Sequence, residues 1–178
     1  VLIDKKWQLK SNINYEFVQQ NFNSEQGWEP VEFNRDWNLL TNNATKKYFQ
    51  SELSLQNETD DFVLYRFNSL NYTDVFNGVK HAIKSRLNIN NTSFFVTGSL
   101  LENTSTSEDN SFFRAKATAE HHLKKSWFGT FINFETNSRK DINTQNFINT
   151  SHRFKEYEGY IGLGDSTKIF AKIGFNYR

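Results

Sequence analysis

The residues of this 178-residue chain that could carry chemistry are four histidines, two closely spaced glutamates and a group of cations. His121 and His122 are adjacent, so on an extended strand their rings point to opposite faces and cannot close on one metal ion. His81 and His152 have neither a His-x-His partner nor carboxylates at matching positions, and a zinc site needs three or four such ligands. Surface or lumen imidazole is therefore the expectation for all four. Glu156 and Glu158 lie two apart and share a strand face. Paired carboxylates do acid–base work when their environments push their pKa values apart. Here Lys168 and Lys172 on the next expected strand, and Glu135 on the previous one, point instead to cross-strand charge pairs on a polar surface. The sequence contains no G-x-S-x-G elbow, P-loop, H-E-x-x-H or EF-hand loop. Glu108-Asp109-Asn110 is expected to be a solvated loop. No catalytic residue, metal or cofactor is expected, and the chain is read as a non-enzyme.

The cations form a more specific pattern. Lys84 and Arg86 fall on one expected strand, and Arg114 and Lys116 on another. The strand between them has uncharged polar positions, Thr97 and Ser99. Glu135, Glu156 and Glu158 lie on the strands beyond, and Lys168 and Lys172 on the last one. Together these nine residues are read as a charge stripe across one face of a sheet. Facing a lumen, such a separation of charge would orient a polar solute or hold a plug; facing solvent, it is ordinary surface charge.

The elements that must position this stripe are strands. In residues 6–18, Trp7, Leu9, Ser11, Ile13, Tyr15 and Phe17 alternate with Gln8, Lys10, Asn12, Asn14 and Glu16, which is the period of a strand with one apolar face. The same alternation recurs in 47–56, 79–89, 111–121, 127–137, 153–163 and 168–177. It is less regular in 31–39, 61–71 and 93–103, the last beginning apolar on both faces. Ten strands of about 9–13 residues result, against a usual length of about 5–6. The alanines of 115–119 alternate with Lys116 and Thr118, so this stretch is assigned to a strand despite its helix propensity. The fold class expected is all-β: an antiparallel up-and-down meander, forming a transmembrane β-barrel or a segment of a larger one, with residues 1–178 as a single unit.

The gaps are rich in Asn, Ser, Thr and Asp, which favour turns through side-chain to backbone hydrogen bonds. Gaps at 57–60, 90–92, 122–126 and 164–167 are short, and those at 40–46, 72–78, 104–110 and 138–152 are longer; only 19–30 breaks the alternation. Short periplasmic turns and long external loops have this character. Ten strands with that parity put both chain ends on the external side. With no Met in the sequence, this suggests an excerpt of a longer barrel, missing strands at each end.

Composition narrows the classes. Twenty-one Lys and Arg against 20 Asp and Glu leave a net charge of +1, too little for a nucleic-acid footprint. Aromatic residues reach 16%, which argues against disorder, and the absence of Cys excludes disulfides and thiolate metal sites. No apolar run approaches the roughly 20 residues of a membrane helix, but a membrane strand needs only about 9–11. A soluble sheet and a membrane barrel both predict the alternation. Strand length, aromatic residues near apolar-face ends (Trp7, Phe17, Phe49, Phe67, Phe113, Phe128, Phe134, Phe175 and Tyr177) and the spacing of the gaps favour the barrel. Arg35 opposes it, since a mid-membrane arginine on lipid costs about 2–4 kcal/mol.

The long Asn- and Phe-rich strands, the Asp165-Ser166-Thr167 turn before Lys168-Ile169-Phe170, and the Glu32-Phe33-Asn34-Arg35-Asp36-Trp37 run resemble large outer-membrane β-barrel proteins of Bacteroidota-type bacteria. The resemblance implies a bacterial outer-membrane location, contact with outer-membrane lipid, and other subunits of a membrane complex as partners. It implies a role in transport or as a structural component of that complex, and no catalytic residues. Asp165-Ser166-Thr167 also resembles the short O-glycosylation sequence of that group, beside its simpler reading as a tight turn. The alternatives from other classes are a soluble barrel that binds a lipid-like ligand and a surface adhesin or scaffold sheet.

Overall fold

The computed structural model describes residues 6–20, 37, 44–148, 151–163 and 171–177. Nine antiparallel strands follow one another in the sheet in chain order: β1 (Trp7–Val18), β2 (Lys46–Asn57), β3 (Phe62–Tyr72), β4 (Phe76–Ile89), β5 (Thr92–Ser105), β6 (Glu108–His122), β7 (Ser126–Asp141), β8 (His152–Leu163) and β9 (Ala171–Tyr177). The all-β meander is as expected. The sheet is open, with β1 and β9 as its edges.

Among the described residues there are nine strands where ten were expected over the whole chain. The strand anticipated over 31–39 fails at Trp37, whose backbone is helical, and β1 pairs directly with β2. The rest of that segment, Arg35 included, lies outside the described residues, as does the Asp165-Ser166-Thr167 turn. Period-two spacing of apolar residues is no guarantee of a strand when no neighbouring strand takes up the ladder.

The alternation of short and long connections is also corrected. Residues 73–75 and 106–107 form tight turns where longer loops were expected. Asp74 takes a left-handed φ of 63°, and the Val75 N–H donates to the Tyr72 carbonyl at 3.0 Å. The Ser105 hydroxyl oxygen accepts from the Glu108 N–H at 3.1 Å. Polar residues such as Asn103 and Asn110 therefore continue the ladder instead of leaving it, because backbone pairing does not require apolar side chains. At the other end, residues 90–91 make a two-residue hairpin, with Asn90 at φ 53°. Asp61 is buried in the turn after β2, where its carboxylate accepts from the Asn57 amide at 2.9 Å and from the Asn88 N–H at 2.7 Å. We call the end holding residues 90–91 the lower end and that holding 73–75 the upper. Among the described residues, β1 begins at the lower end and β9 runs toward the upper. The described strands thus start and finish at opposite ends of the sheet, unlike the ten-strand reading.

Register decides which residues share a face. Directly paired residues of antiparallel strands point the same way, and Leu9–Leu55–Val63–Ser85–Val96–Ala117–Ile132–Tyr157 form one continuous row from β1 to β8. This face is the apolar one. The opposite face carries the charges, and it is also where the core lies. Leu70, Tyr72, Phe76 and Leu101 of its upper part are buried with Trp37, whose ring meets Tyr48 and Phe76 edge-on at 6.5 and 6.4 Å. The Trp37 carbonyl accepts from the Asn103 amide at 3.4 Å. Lower on the same face, Trp127 is buried opposite Gly162, and Tyr160 stands opposite Gly129. A methyl group on either glycine would overlap the facing ring. These are cross-strand aromatic–glycine pairs, in which a ring covers the bare backbone.

Candidate functional site

The apolar face presents an uncovered hydrophobic belt. Apart from Leu123 and Phe147, every exposed large apolar side chain among the described residues lies on it, with Leu9 and Ile13 at 70% and 71% exposure. A soluble monomer's largest apolar patch is about 300–600 Å², and this belt crosses all the strands from β1 to β8.

The belt runs diagonally to the ladder. On β1 its upper limit is Phe17, and on β8 it is Tyr157, above which stand Lys155 and Arg153. Following the ladder back from Tyr157 leads to Leu9, eight residues short of Phe17, over seven steps between strands. The lower limit drifts the same way, from Leu55 on β2 to Leu163 on β8. With about 3.4 Å per residue and about 4.8 Å between strands, the belt is level when the strands tilt by about 39° from its normal. Strands of transmembrane barrels tilt by about 35–45°. At that tilt, the apolar stretch is about 26 Å tall on β4 (Val79 to Ile89) and about 16 Å on β5 (Phe94 to Leu100); a barrel's lipid-facing band is about 25 Å.

Aromatic residues mark the diagonal. Phe17, Phe49 and Phe67 step down along the upper limit from β1 to β3, Phe113 shares the row of Phe67, and Phe134 and Tyr157 step down again on β7 and β8. Neighbouring rings touch, with centroids 6.1 Å apart for Phe49–Phe67 and 5.7 Å for Phe113–Phe134. Between them, His81 sits 5.1 Å from the Phe67 ring, and its Nδ1 is hydrogen-bonded to the Tyr65 hydroxyl at 2.7 Å. Near the lower limit, His121 is bonded to Thr92 Oγ1 at 2.8 Å and lies against Phe128. Lys47, Glu102, Asp109 and Lys140 of this face lie above the belt. At the upper end of β7, the Asp141 carboxylate accepts from the Thr144 and Asn143 backbone N–H groups at 2.8 and 2.9 Å. The Thr144 N–H leads in holding this carboxyl below its ordinary range.

On the polar face, the structure places Lys84 and Arg86 on β4, and Arg114 and Lys116 on β6. Thr97 of β5 lies between Lys84 and Lys116, and Ser99 between Ala82 and Arg114. Arg114 is opposite Glu135 on β7, and the two form an ion pair at 2.6 Å. Glu135 also holds His152 at 3.0 Å. Glu156 is opposite Asn133, whose amide donates to it at 3.4 Å, and Glu158 is opposite Phe131. The expected pairing of Glu156 and Glu158 with lysines of the last strand is corrected: Lys172 lies opposite Gly162, while Glu158 faces Asn176. Lys168 is outside the described residues. His121 and His122 do point to opposite faces, and His122 pairs with Glu120 at 2.6 Å. Among the described residues no three His, Asp or Glu side chains converge as metal ligands.

One cation of the polar face was left out of the stripe. Arg66 of β3 is level with Ala82, Ser99 and Arg114, and it pairs with Glu52 of β2 at 2.5 Å. The tight turn at 73–75 sets that register, and Asp74 between Tyr72 and Phe76 is the signal that would have revealed it. A shallow depression of about 260 Å³ is lined by Leu64, Ala82, Ile83, Thr97, Gly98 and Ser99 together with Arg66, Lys84 and Arg114. Lys84 Nζ stands 5.8 Å from the centroids of both Phe62 and Phe95.

No protein-family model, curated protein or solved structure matches this chain.

Proposed function

We propose that the meander is an arc of a transmembrane β-barrel in a bacterial outer membrane, with the apolar belt on lipid and the polar face on an aqueous lumen. The barrel wall continues beyond the edge strands β1 and β9. Its role is the passage of solutes or the scaffolding of a membrane protein complex whose other subunits are its partners. This reading is non-enzymatic and assigns no catalytic residue.

The diagonal of the belt carries the proposal. Alternation is common to soluble and membrane sheets, but an apolar band inclined to the ladder by about 39° is what tilted strands need to present a level band to a bilayer. The burial pattern supports the same orientation. A soluble barrel that encloses a lipid-like ligand would bury its apolar face, whereas here the packed cluster around Trp37 lies on the polar one.

Fractionation tests this reading. The native protein should sediment with the outer membrane, resist carbonate extraction, and run as a heat-modifiable band after mild detergent extraction. Recovery as a detergent-free soluble monomer would refute it.

A further inference from the structure

Given the barrel reading, on which this rests, we infer that the margin of the apolar belt above Tyr157 is a docking surface for an anionic lipid. Arg153 and Lys155 of β8, with Thr136 of β7, would hold a headgroup phosphate that carries no cation of its own.

From β1 to β8, every Lys, Arg, Asp and Glu on the apolar face lies above the belt: Lys47, Glu102, Asp109, Lys140, Arg153 and Lys155. Arg153 and Lys155 are two residues apart on one strand, so they share the face with Cα atoms about 7 Å apart. With strands tilted by about 39°, Lys155 stands about 5 Å above Tyr157 and Arg153 about 11 Å. The headgroup layer is about 5–8 Å deep on each side of the hydrocarbon core. Lys155 therefore stands in it, and Arg153 is just outside, within reach of it by its long side chain. Thr136, opposite Arg153 on β7, brings a hydroxyl to the same layer. Both cations are exposed, and among the described residues neither has a carboxylate within ion-pairing distance. Lys155 Nζ stands 5.9 Å from the centroid of Phe134, a ring of the belt's margin. Glu102, the carboxylate of this face at a similar height, is three strands away on β5.

Charge and shape both select a lipid. Side chains two apart on one strand face can meet at a single phosphate, the guanidinium fork taking two oxygens and the ammonium another. A zwitterionic headgroup brings a cation that the unpaired Arg153 and Lys155 repel. Below them the belt offers a place for an acyl chain. The tilt carries the membrane normal toward lower-numbered strands, so a line down from the two cations crosses Phe134 and Ile132 of β7 and reaches Ala117 and Ala119 of β6. These alanines end at Cβ. Val96 and Phe94 lie opposite them on β5, 40% and 39% exposed, and Ile132 lies opposite Ala117 on β7, 42% exposed. Larger side chains thus flank a shallow channel one strand wide. A free anion would use the cations and leave this channel empty, whereas a lipid uses both.

The test uses the full chain reconstituted in phosphatidylcholine vesicles. The chain has no Cys, so a fluorophore can be placed at Val96→Cys, beside the alanine channel, or at Leu53→Cys, on the far side of the belt. The quenchers are phosphatidic acid and phosphatidylcholine, each with a nitroxide midway along one acyl chain. Phosphatidic acid should quench the Val96→Cys label at about a fivefold lower mole fraction than phosphatidylcholine, and the two should quench the Leu53→Cys label alike. Arg153→Gln with Lys155→Gln should remove the difference, and Lys10→Gln, on the polar face, should preserve it. Excess inorganic phosphate should not displace the lipid. Quenching at Leu53→Cys checks that each variant inserts; if the double variant does not, Lys155→Gln alone serves in its place. Equal quenching by the two lipids at Val96→Cys, a preference that survives in the inserted variant, or one that inorganic phosphate abolishes overturns the proposal and leaves the barrel standing. Labels that neither lipid quenches refute the barrel and this site with it.

Discussion

At the scale of single residues, the glycines separate packing from mere composition. Gly162 lies under the Trp127 ring and Gly129 under that of Tyr160, whereas a methyl group on Gly159 would meet nothing within 4 Å. Gly162→Ala must move a buried ring, and overpacking of this kind costs about 1–3 kcal/mol. Gly159→Ala relieves the entropic cost of glycine in a strand and should be neutral or stabilising by less than about 1 kcal/mol. Denaturant melts of the two variants should therefore shift apart; equal shifts would contradict the aromatic–glycine pairing. Neither pair was legible in the sequence, because Trp127 and Gly162 are 35 positions apart and only the β7–β8 register joins them. The histidines were more legible. Adjacency alone put His121 and His122 on opposite faces, and the structure gives each a separate partner, Thr92 and Glu120.

At the scale of elements, the strands were readable where apolar and polar residues alternate, and their ends were not. Polar stretches such as Asn103–Ser105 and Glu108–Asn110 look like loop in sequence, yet they pair across the 106–107 turn and lengthen β5 and β6. Trp37 is the converse case: its segment has strand periodicity, but its helical backbone brings the ring onto Tyr48 and Phe76 instead of into a ladder. The charge stripe was legible as far as faces go, since parity within a strand fixes them. Its pairings were not, because they depend on register, which the unrecognised turns control. Neighbouring positions on β2 test the assignment of faces. Leu53 is 48% exposed on the apolar belt, and Ser54 points to the other face. In lipid, Leu53→Arg should cost about 2–4 kcal/mol and Ser54→Arg close to nothing. Unfolding from vesicles measures both, and equal effects would remove the distinction between lipid and lumen faces.

At the scale of the whole molecule, an exposed, inclined apolar belt backs onto a face that carries the packed cluster around Trp37 and the charge stripe. The central claim is that the belt, and not the ladder, is parallel to the membrane. The chain has no Cys, so single-cysteine variants can be spin-labelled without background. Leu9, Phe17 and Tyr157 make the decisive set, because Leu9 and Tyr157 share one row of the ladder while Phe17 and Tyr157 share the upper limit of the belt. The measurement is the depth of each label in reconstituted vesicles, from its relative accessibility to oxygen and to a water-soluble nickel chelate. The account predicts equal depths for Phe17 and Tyr157, with Leu9 displaced by about 21 Å toward the other interface. Equal depths for Leu9 and Tyr157, or labels that all report water, would contradict it.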